Sequence, residues 1–280
     1  MSPHRTIATV ATLGLLAWGG SASAQDAASG PGLAGMGIEL GAASMGLPLP
    51  YSERPLTLTE GTIRGDAAFT IMRFSVSVPG VGTLSETAVG LALGGGYGIM
   101  DDLEVGASVI PLTLSPDVTY GDPTIYGIYR FLADTAEIGG SLALTVPIDG
   151  DFVATPGLPV LLHLGDTMRL DTGVFLPFQF ADRFIASLNL PATFSYNVTP
   201  NLFVGGASGI LIPDFNFDFL TLPLSVHGGY TLEGQGGGPL ADFALSFGFP
   251  ALLMPASGGD VLITELWVLS IGGSVYIGTR

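Results

Sequence analysis

Residues Thr135 to Pro147 read Thr-Ala-Glu-Ile-Gly-Gly-Ser-Leu-Ala-Leu-Thr-Val-Pro, and their pattern predicts the fold of the chain. Its apolar residues alternate one by one with small or polar residues. One face carries Ile138, Gly140, Leu142, Leu144 and Val146, and the opposite face carries Glu137, Gly139, Ser141, Ala143 and Thr145. A period of two that persists this long is typical of a β-strand with one apolar face.

The same alternation continues along the chain from Thr62 onward, for example in 87–99 and 184–196, and we find no helical stripe of comparable length. Most of these segments are longer than the ~5–6 residues of soluble strands and are near or above the ~9–11 that a tilted strand needs to cross a bilayer. The predicted strands are 62–78, 84–99, 103–114, 122–131, 135–147, 157–164, 168–178, 183–196, 201–212, 219–232, 239–253 and 261–278.

The connections between these segments alternate in length. The tight, polar turns are 100–102, 132–134, 165–167 and 198–200, and the longer links are 115–121, 148–156, 213–218 and 254–260. Two connections, 179–182 and 233–238, depart from this rule. Outer-membrane barrels place short turns on the periplasmic side and longer loops outside. The sequence therefore predicts an all-β fold, a transmembrane antiparallel up-and-down β-barrel of about twelve strands with both termini in the periplasm.

The composition fits a barrel and excludes several other classes. The hydrophobic fraction is 48%, while the charged fraction is 11%, well below the ~25% of soluble domains. The absence of Cys rules out disulfides and Cys-based metal sites, and we expect no metal and no cofactor. The net charge is −16 and there is no Lys, which argues against nucleic-acid binding because phosphates require clustered Lys and Arg.

The N-terminus has the features of a secretory signal peptide. His4 and Arg5 precede an apolar run, and Ala22-Ser23-Ala24 supplies a small-residue cleavage pattern. We therefore predict a signal peptide over 1–24, a Gly/Ala/Pro-rich periplasmic extension over 25–61 and an outer-membrane β-barrel over 62–280. The expected location is the outer membrane of a Gram-negative cell.

The last segment, Ser270 to Ile277, is similar to the C-terminal signal that hands barrel proteins to the outer-membrane insertion machinery. Ser270 and Gly272 precede the spaced hydrophobic residues Val275 and Ile277, although the usual terminal aromatic residue is missing. The expected partners are outer-membrane lipid and lipopolysaccharide, this insertion machinery and small solutes.

Two further stretches resemble a family of outer-membrane, transporter-like barrels named for the meta-pathway of phenol degradation. One is Tyr97-Gly98-Ile99-Met100-Asp101-Asp102-Leu103-Glu104-Val105-Gly106, and the other is Arg54-Pro55-Leu56-Thr57-Leu58 followed by Gly61-Thr62-Ile63-Arg64. The resemblance implies a barrel with a role in small-molecule transport and carries over no particular substrate.

The polar face of the strands supplies the candidate functional residues. Arg130 and Glu137 lie on adjacent strands as potential cross-strand neighbours, and Arg169 and Asp171 share one face. Such charges either line a pore or neutralise each other in a filled lumen, and the abundant inner Gly and Ala fit open space or close packing against a plug. The predicted lumen-lining polar residues are Glu86, Glu104, Arg130, Glu137, His163, Arg169, Asp171 and Asn189.

Three function classes follow from this pattern. The first is a passive channel or transporter-like barrel for small solutes, and the second is a closed structural or adhesive barrel without transport. An outer-membrane hydrolase is the third, but only His163 and His227 follow the predicted leader, and we find neither a Gly-x-Ser-x-Gly nor a His-Glu-x-x-His motif. We therefore expect no enzymatic activity and name no catalytic residue.

Overall fold

The computed structural model describes residues 46–78, 82–148, 151–255, 261–263 and 266–278, so the predicted signal peptide and residues 25–45 lie outside the described part. Twelve long strands form the wall. They are β1 (Thr62–Val78), β2 (Gly82–Met100), β3 (Leu103–Ser115), β4 (Thr124–Ala133), β5 (Ala136–Thr145), β6 (Phe152–His163), β7 (Met168–Phe175), β8 (Leu188–Asn197), β9 (Leu202–Ile212), β10 (Leu222–Glu233), β11 (Pro239–Pro255) and β12 (Trp267–Gly278).

The twelve strands form one closed antiparallel barrel. Each strand pairs with its neighbours in sequence, and β1 pairs with β12 over a continuous ladder that runs from Thr62 opposite Gly278 to Arg73 opposite Trp267. Closure leaves no free sheet edge. The predicted twelve-stranded, up-and-down barrel is confirmed.

The two faces of the wall differ as the alternation predicts. On β11, Phe243, Leu245 and Phe247 are exposed on the outside, whereas Asp242, which immediately precedes Phe243, is buried inside. The same separation holds on β5, where Leu142 is exposed and Glu137 is buried. The outer surface is thus an apolar belt suited to hydrocarbon. The inner surface carries the charged and small residues together with buried apolar side chains such as Ile128 and Leu161.

The two ends of the barrel differ in their connections. One end, here the turn end, carries the start of β1, the end of β12 and short links such as Asp101–Asp102 and Asp134–Thr135. The opposite end, here the loop end, carries longer links, including the one between β7 and β8. That link contains two short paired strands, Phe178–Phe180 and Phe184–Ala186.

Further short elements are the strands Thr119–Tyr120 and Val261–Ile263 and the 3-10 turns Tyr51–Glu53, Pro213–Phe215 and Phe217–Phe219. Among the residues that the structure describes, no helix is long and apolar enough to cross a membrane.

Several strand limits differ from the predicted ones. β6 begins at Phe152, so the second half of the expected loop 148–156 belongs to the strand even though it contains Pro156. The predicted strand 183–196 is divided at Ser187, because its first part folds back on Phe178–Phe180. The predicted strand 219–232 starts later, at Leu222, since Phe219 belongs to a 3-10 turn.

The largest difference concerns residues 46–61, which the sequence analysis assigned to a loose periplasmic extension. In the structure this stretch, here called the inner segment, lies inside the turn end of the barrel. Its side chains Leu47, Leu56 and Leu58 are buried against the inner wall. The apolar residues of an otherwise irregular stretch are thereby removed from water, which stabilises its place in the lumen.

Candidate functional site

The candidate site is the turn end of the lumen, where the inner segment meets charged side chains of the wall. Three backbone N–H groups of the segment donate to wall side chains: Leu56 to Glu137 Oε2 at 2.8 Å, Leu58 to Glu104 Oε2 at 2.9 Å and Ser52 to Asn197 Oδ1 at 2.7 Å. An irregular segment needs such acceptors because its buried backbone groups lack a ladder of their own. Side chains of the inner wall therefore accept the hydrogen bonds that helix or strand partners would otherwise accept from this part of the chain.

Arg54 is the main anchor of the inner segment. Its guanidinium donates to both carboxylate oxygens of Asp242 on β11, at 2.5 and 3.0 Å, and to Thr231 Oγ1 and Tyr276 Oη at 3.1 Å each. The residue is only 3% exposed. Burial acts to lower the pKa of Arg54, but the Asp242 carboxylate and the Tyr276 hydroxyl raise it more, so the net shift is upward. The guanidinium is therefore charged at every physiological pH.

A second arginine reaches the segment from the wall. Arg169 on β7 makes a bidentate pair with Asp171, at 2.7 and 2.6 Å, and donates to the backbone oxygens of Tyr51 and Arg54 at 3.1 Å each. Its guanidinium also lies 4.9 Å from the centre of the Tyr51 ring, which stacks on Phe203 at 4.6 Å. Bidentate pairing together with cation–π contact fixes the first half of the segment against β7 to β9.

Two further groups hold the second half of the segment. Arg64 on β1 pairs with Asp66 at 3.0 Å and with Glu104 at 3.3 Å, and Tyr126 Oη donates to the same Glu104 at 2.8 Å. Glu104 thus joins β1, β3 and β4 to the backbone of Leu58. All of these side chains except Tyr126 are buried.

Glu137 is the centre of the other group. It accepts from Arg130 Nη1 at 2.8 Å and lies 3.0 Å from His163 Nε2. His163 Nδ1 lies 2.9 Å from the backbone oxygen of Ser52. β5 and β6 therefore contact the segment directly through Glu137 and His163, and β4 is linked to it through the pair of Arg130 with Glu137. Arg130 also pairs with Asp102 in the β2–β3 turn at 2.8 Å.

The structure brings six of the eight predicted lumen residues together around the inner segment and leaves two apart. Asn189 is buried in the loop half of β8, and Glu86 is exposed near the loop end of β2. The six that meet at the segment are Glu104, Arg130, Glu137, His163, Arg169 and Asp171.

Sequence reasoning missed several members of the site. Arg64, Asp66 and Asp242 occupy the polar face of alternating strands, so the same period of two could have identified them. Arg54 had no such signal, because it lies in a stretch without periodicity. Its contacts with three separate strands depend on how the segment folds back into the barrel.

The geometry also bears on hydrolysis and on metal binding. Ser195 Oγ lies 3.1 Å from His227 Nε2, the distance of a nucleophile and its base. Ser195 is, however, 0% exposed, so its hydroxyl has no access to a substrate. Within the described ranges, no group of three or more His, Asp or Glu side chains is arranged to hold a metal ion. The site is thus a network of paired charges that fixes a segment across the lumen.

Comparison with known proteins identifies the fold and leaves the family open. No family model matches the chain, and no curated protein matches it. Among solved structures, an outer membrane channel from Pseudomonas putida F1 has a TM-score of 0.54 at 14% identity, covering 79% of this chain and 97% of that one.

Two porins give similar values. The NanC porin has a TM-score of 0.53 at 7% identity, over 74% of this chain and 98% of that one. The KdgM porin has 0.51 at 8% identity, over 75% and 98%. The chain therefore has the barrel fold of outer-membrane porins and channels.

Proposed function

We propose that the protein is an outer-membrane channel for passive movement of small solutes, with its periplasmic mouth narrowed by the inner segment. The observation that carries the proposal is the placement of residues 46–61 inside the lumen, hydrogen-bonded to charged or polar side chains of seven wall strands. A solute that moves along the barrel axis has to pass this segment.

The location rests on three independent features. The apolar outer belt requires a hydrocarbon environment, the predicted leader directs export, and the similar structures are porins and channels of outer membranes. Short turns at one end and longer loops at the other orient the turn end toward the periplasm. Delivery to the insertion machinery through β12 belongs to the same proposal.

Membership in the family named for the meta-pathway of phenol degradation is also part of the proposal. The two motifs quoted above support it, and both lie at the site: the first contains Glu104, and the second runs from Arg54 to Arg64. The likeness to the Pseudomonas putida channel supports only the shared barrel. The family resemblance implies small-molecule transport and names no particular solute.

Planar-bilayer recordings test the channel. We expect stepwise currents from the purified protein and larger steps from Arg54→Ala, because the substitution removes the bonds from the segment to Asp242, Thr231 and Tyr276. Arg183→Ala is the matched control, since Arg183 pairs with Asp214 in an exposed position at the loop end. Its steps should equal those of the unaltered protein.

A closed structural barrel is the second candidate function. It is favoured by the charge pairing itself, because the buried guanidinium groups of Arg54, Arg64 and Arg169 all face carboxylates. Absence of current from both the unaltered protein and Arg54→Ala would support this candidate and contradict the channel. Equal current steps from Arg54→Ala and the unaltered protein would show that the segment does not narrow the conducting path.

A further inference from the structure

Arg73 on β1 differs from every other arginine that the structure describes. Four arginines of the lumen and one of the loop end each pair with a carboxylate. Arg73 is exposed, and it has no ion pair with any described residue. Arg64 and Met72 are buried on the inner face, and β1 keeps an unbroken register with both of its neighbours, so the side chain of Arg73 points out of the barrel. A permanent positive charge therefore lies on the membrane-facing surface.

Arg73 lies where the apolar outer face of β1 ends. The outward residues of β1 from Ile63 to Ile71 are apolar, and so are those that face them on β12 as far as Leu269. Ten residues separate Ile63 from Arg73. At ~3.3 Å per residue and a strand tilt of ~35–45°, they span ~23–27 Å along the barrel axis, close to the ~25 Å height of the apolar band of outer-membrane barrels. Arg73 is therefore at the loop-side boundary of the hydrocarbon, where a charge on the outer wall costs little.

Aromatic side chains mark the same boundary. Trp267, the first residue of β12, lies directly opposite Arg73 in the ladder. Its ring centre is 6.1 Å from that of Phe247, which is exposed on the outside of β11. At the other boundary, Tyr97 faces Ile63 and is also exposed. Aromatic girdles flank the apolar band at both interfaces, so the aromatic residues and the strand length agree on the level of Arg73.

Hydroxyl groups accompany Arg73 on the outward face. Thr87 on β2 lies directly opposite, and the next outward pair toward the loop end is Ser75 with Ser85. Thr87 and Ser85 are exposed, and Ser75 is half-buried. Glu86 lies between Thr87 and Ser85 in sequence and therefore belongs to the inner face. We call these four outward residues, Arg73, Ser75, Ser85 and Thr87, the Arg73 patch.

The donors of the Arg73 patch suit a phosphate group. A guanidinium offers two parallel N–H groups that match two phosphate oxygens, and the hydroxyls of Thr87 and Ser85 offer further donors. Residues directly opposite each other on antiparallel strands have Cβ atoms ~4.5–5.5 Å apart, and diagonal neighbours are ~7–8 Å apart. One phosphate can therefore contact the guanidinium and both hydroxyls.

The level of the patch indicates that this phosphate belongs to a lipid. Trp267 and Phe247 lie beside it on the membrane face, and such rings contact acyl chains. A soluble phosphate ester would gain nothing from them. Around the loop end of an outer-membrane barrel, the leaflet consists of lipopolysaccharide, whose lipid A carries phosphate groups on sugars directly above its acyl chains.

We propose that the Arg73 patch binds a phosphate of lipid A, with the acyl chains of the lipid lying against Trp267 and Phe247. This inference rests on the proposed function in one respect, namely that the loop end faces the outer leaflet of the outer membrane. The bound lipid joins the outer ends of β1, β2 and β12, the strands at which the barrel closes, and holds the barrel at a defined depth in the leaflet.

Native mass spectrometry of the purified protein in detergent micelles, titrated with lipid A that carries two phosphates, tests the site. Arg183→Gln is the matched control, because Arg183 is exposed at the loop end and pairs with Asp214. We expect Arg183→Gln to bind as the unaltered protein does, and Arg73→Gln to bind about fivefold more weakly or worse, the usual contribution of one basic residue at an anionic membrane surface. Arg73→Lys should be intermediate, because Lys keeps the charge but loses the paired N–H groups. Equal affinity of Arg73→Gln and Arg183→Gln would overturn the proposal.

The chemistry of the lipid is tested on the same proteins. Lipid A stripped of both phosphates should bind the unaltered protein as weakly as the intact lipid binds Arg73→Gln, and equal binding of the two lipids would leave the phosphate without a role. Phosphatidylglycerol should bind more weakly than lipid A. Phosphatidylglycerol that binds as tightly and depends equally on Arg73 would assign the patch to a phospholipid and overturn the choice of lipid A. Inorganic phosphate at the concentration of the lipid should not compete, and competition would show that the acyl chains contribute nothing.

Conductance separates this inference from the channel proposal. Arg73→Gln should give the same current steps as the unaltered protein in planar bilayers, because its side chain lies outside the lumen, and altered steps would contradict the outward site. Absence of current from both proteins would contradict the channel and leave the binding of lipid A intact. Electrophoretic mobility before and after heating verifies that both arginine variants form closed barrels, so a loss of binding reports the site and not the fold.

Discussion

At the scale of single residues, Gly98 couples the wall to the inner segment. Its carbonyl accepts a hydrogen bond from the Gly61 N–H at 2.8 Å. A Cβ added at Gly98 would lie 2.2 Å from the backbone oxygen of Thr59 and 2.8 Å from that of Leu58. Only a residue without a side chain allows the two backbones to approach so closely. Gly98 therefore determines where the segment enters the barrel.

Gly98→Ala should displace the inner segment and lower the free energy of unfolding by about 1–3 kcal/mol, the usual cost of forcing atoms into a packed site. Gly65→Ala is the matched control in β1, because a Cβ at Gly65 meets nothing within 4 Å, and it should be close to neutral. Urea unfolding in lipid vesicles, followed by the fluorescence of Trp267, measures both variants. Equal stability of the two variants would mean that the close approach at Gly98 contributes nothing to the free energy of unfolding.

At the scale of elements, the strands could be predicted from the sequence and the inner segment could not. A strand is recognised by its period of two, which also indicates which side chains face inward, as for Glu104 and Glu137. The inner segment has no period, and its order comes from contacts with residues 40 to 190 positions away, such as Arg54 with Asp242.

Replacement of residues 47–57 by a Gly/Ser stretch of equal length should leave the barrel closed but less stable. The β1–β12 ladder begins at Thr62 and does not need the segment, whereas Asp242 loses its buried partner Arg54 and the inner wall loses the contacts of Leu47 and Leu56. The loss should be on the order of 3 kcal/mol or more, as for buried carboxylates that lose a partner. Electrophoretic mobility before and after heating checks closure, and the urea midpoint checks stability. An unchanged midpoint would show that the segment only fills the lumen.

At the scale of the whole molecule, the asymmetry of the two ends determines how the barrel lies in its membrane. The turn end holds the inner segment and the paired charges, and the loop end holds aromatic side chains exposed beyond the wall, among them Phe180, Phe184 and Phe217. In outer-membrane barrels the longer loops are extracellular and the short turns are periplasmic. The proposed orientation follows from the lengths of these connections and not from the net charge of the chain.

Cysteine labelling in intact cells tests this orientation, and the chain has no native cysteine that would add a background signal. Asp182→Cys, between the two short strands of the loop end, should react with a membrane-impermeant maleimide. Asp134→Cys, in the exposed turn between β4 and β5, should react only after the outer membrane is permeabilised. Both positions are exposed aspartates in short connections, so a difference in labelling reports the side of the membrane and not the reactivity of the thiol. The reverse pattern would place the inner segment at the cell surface, and the mouth that it narrows would then be the external one.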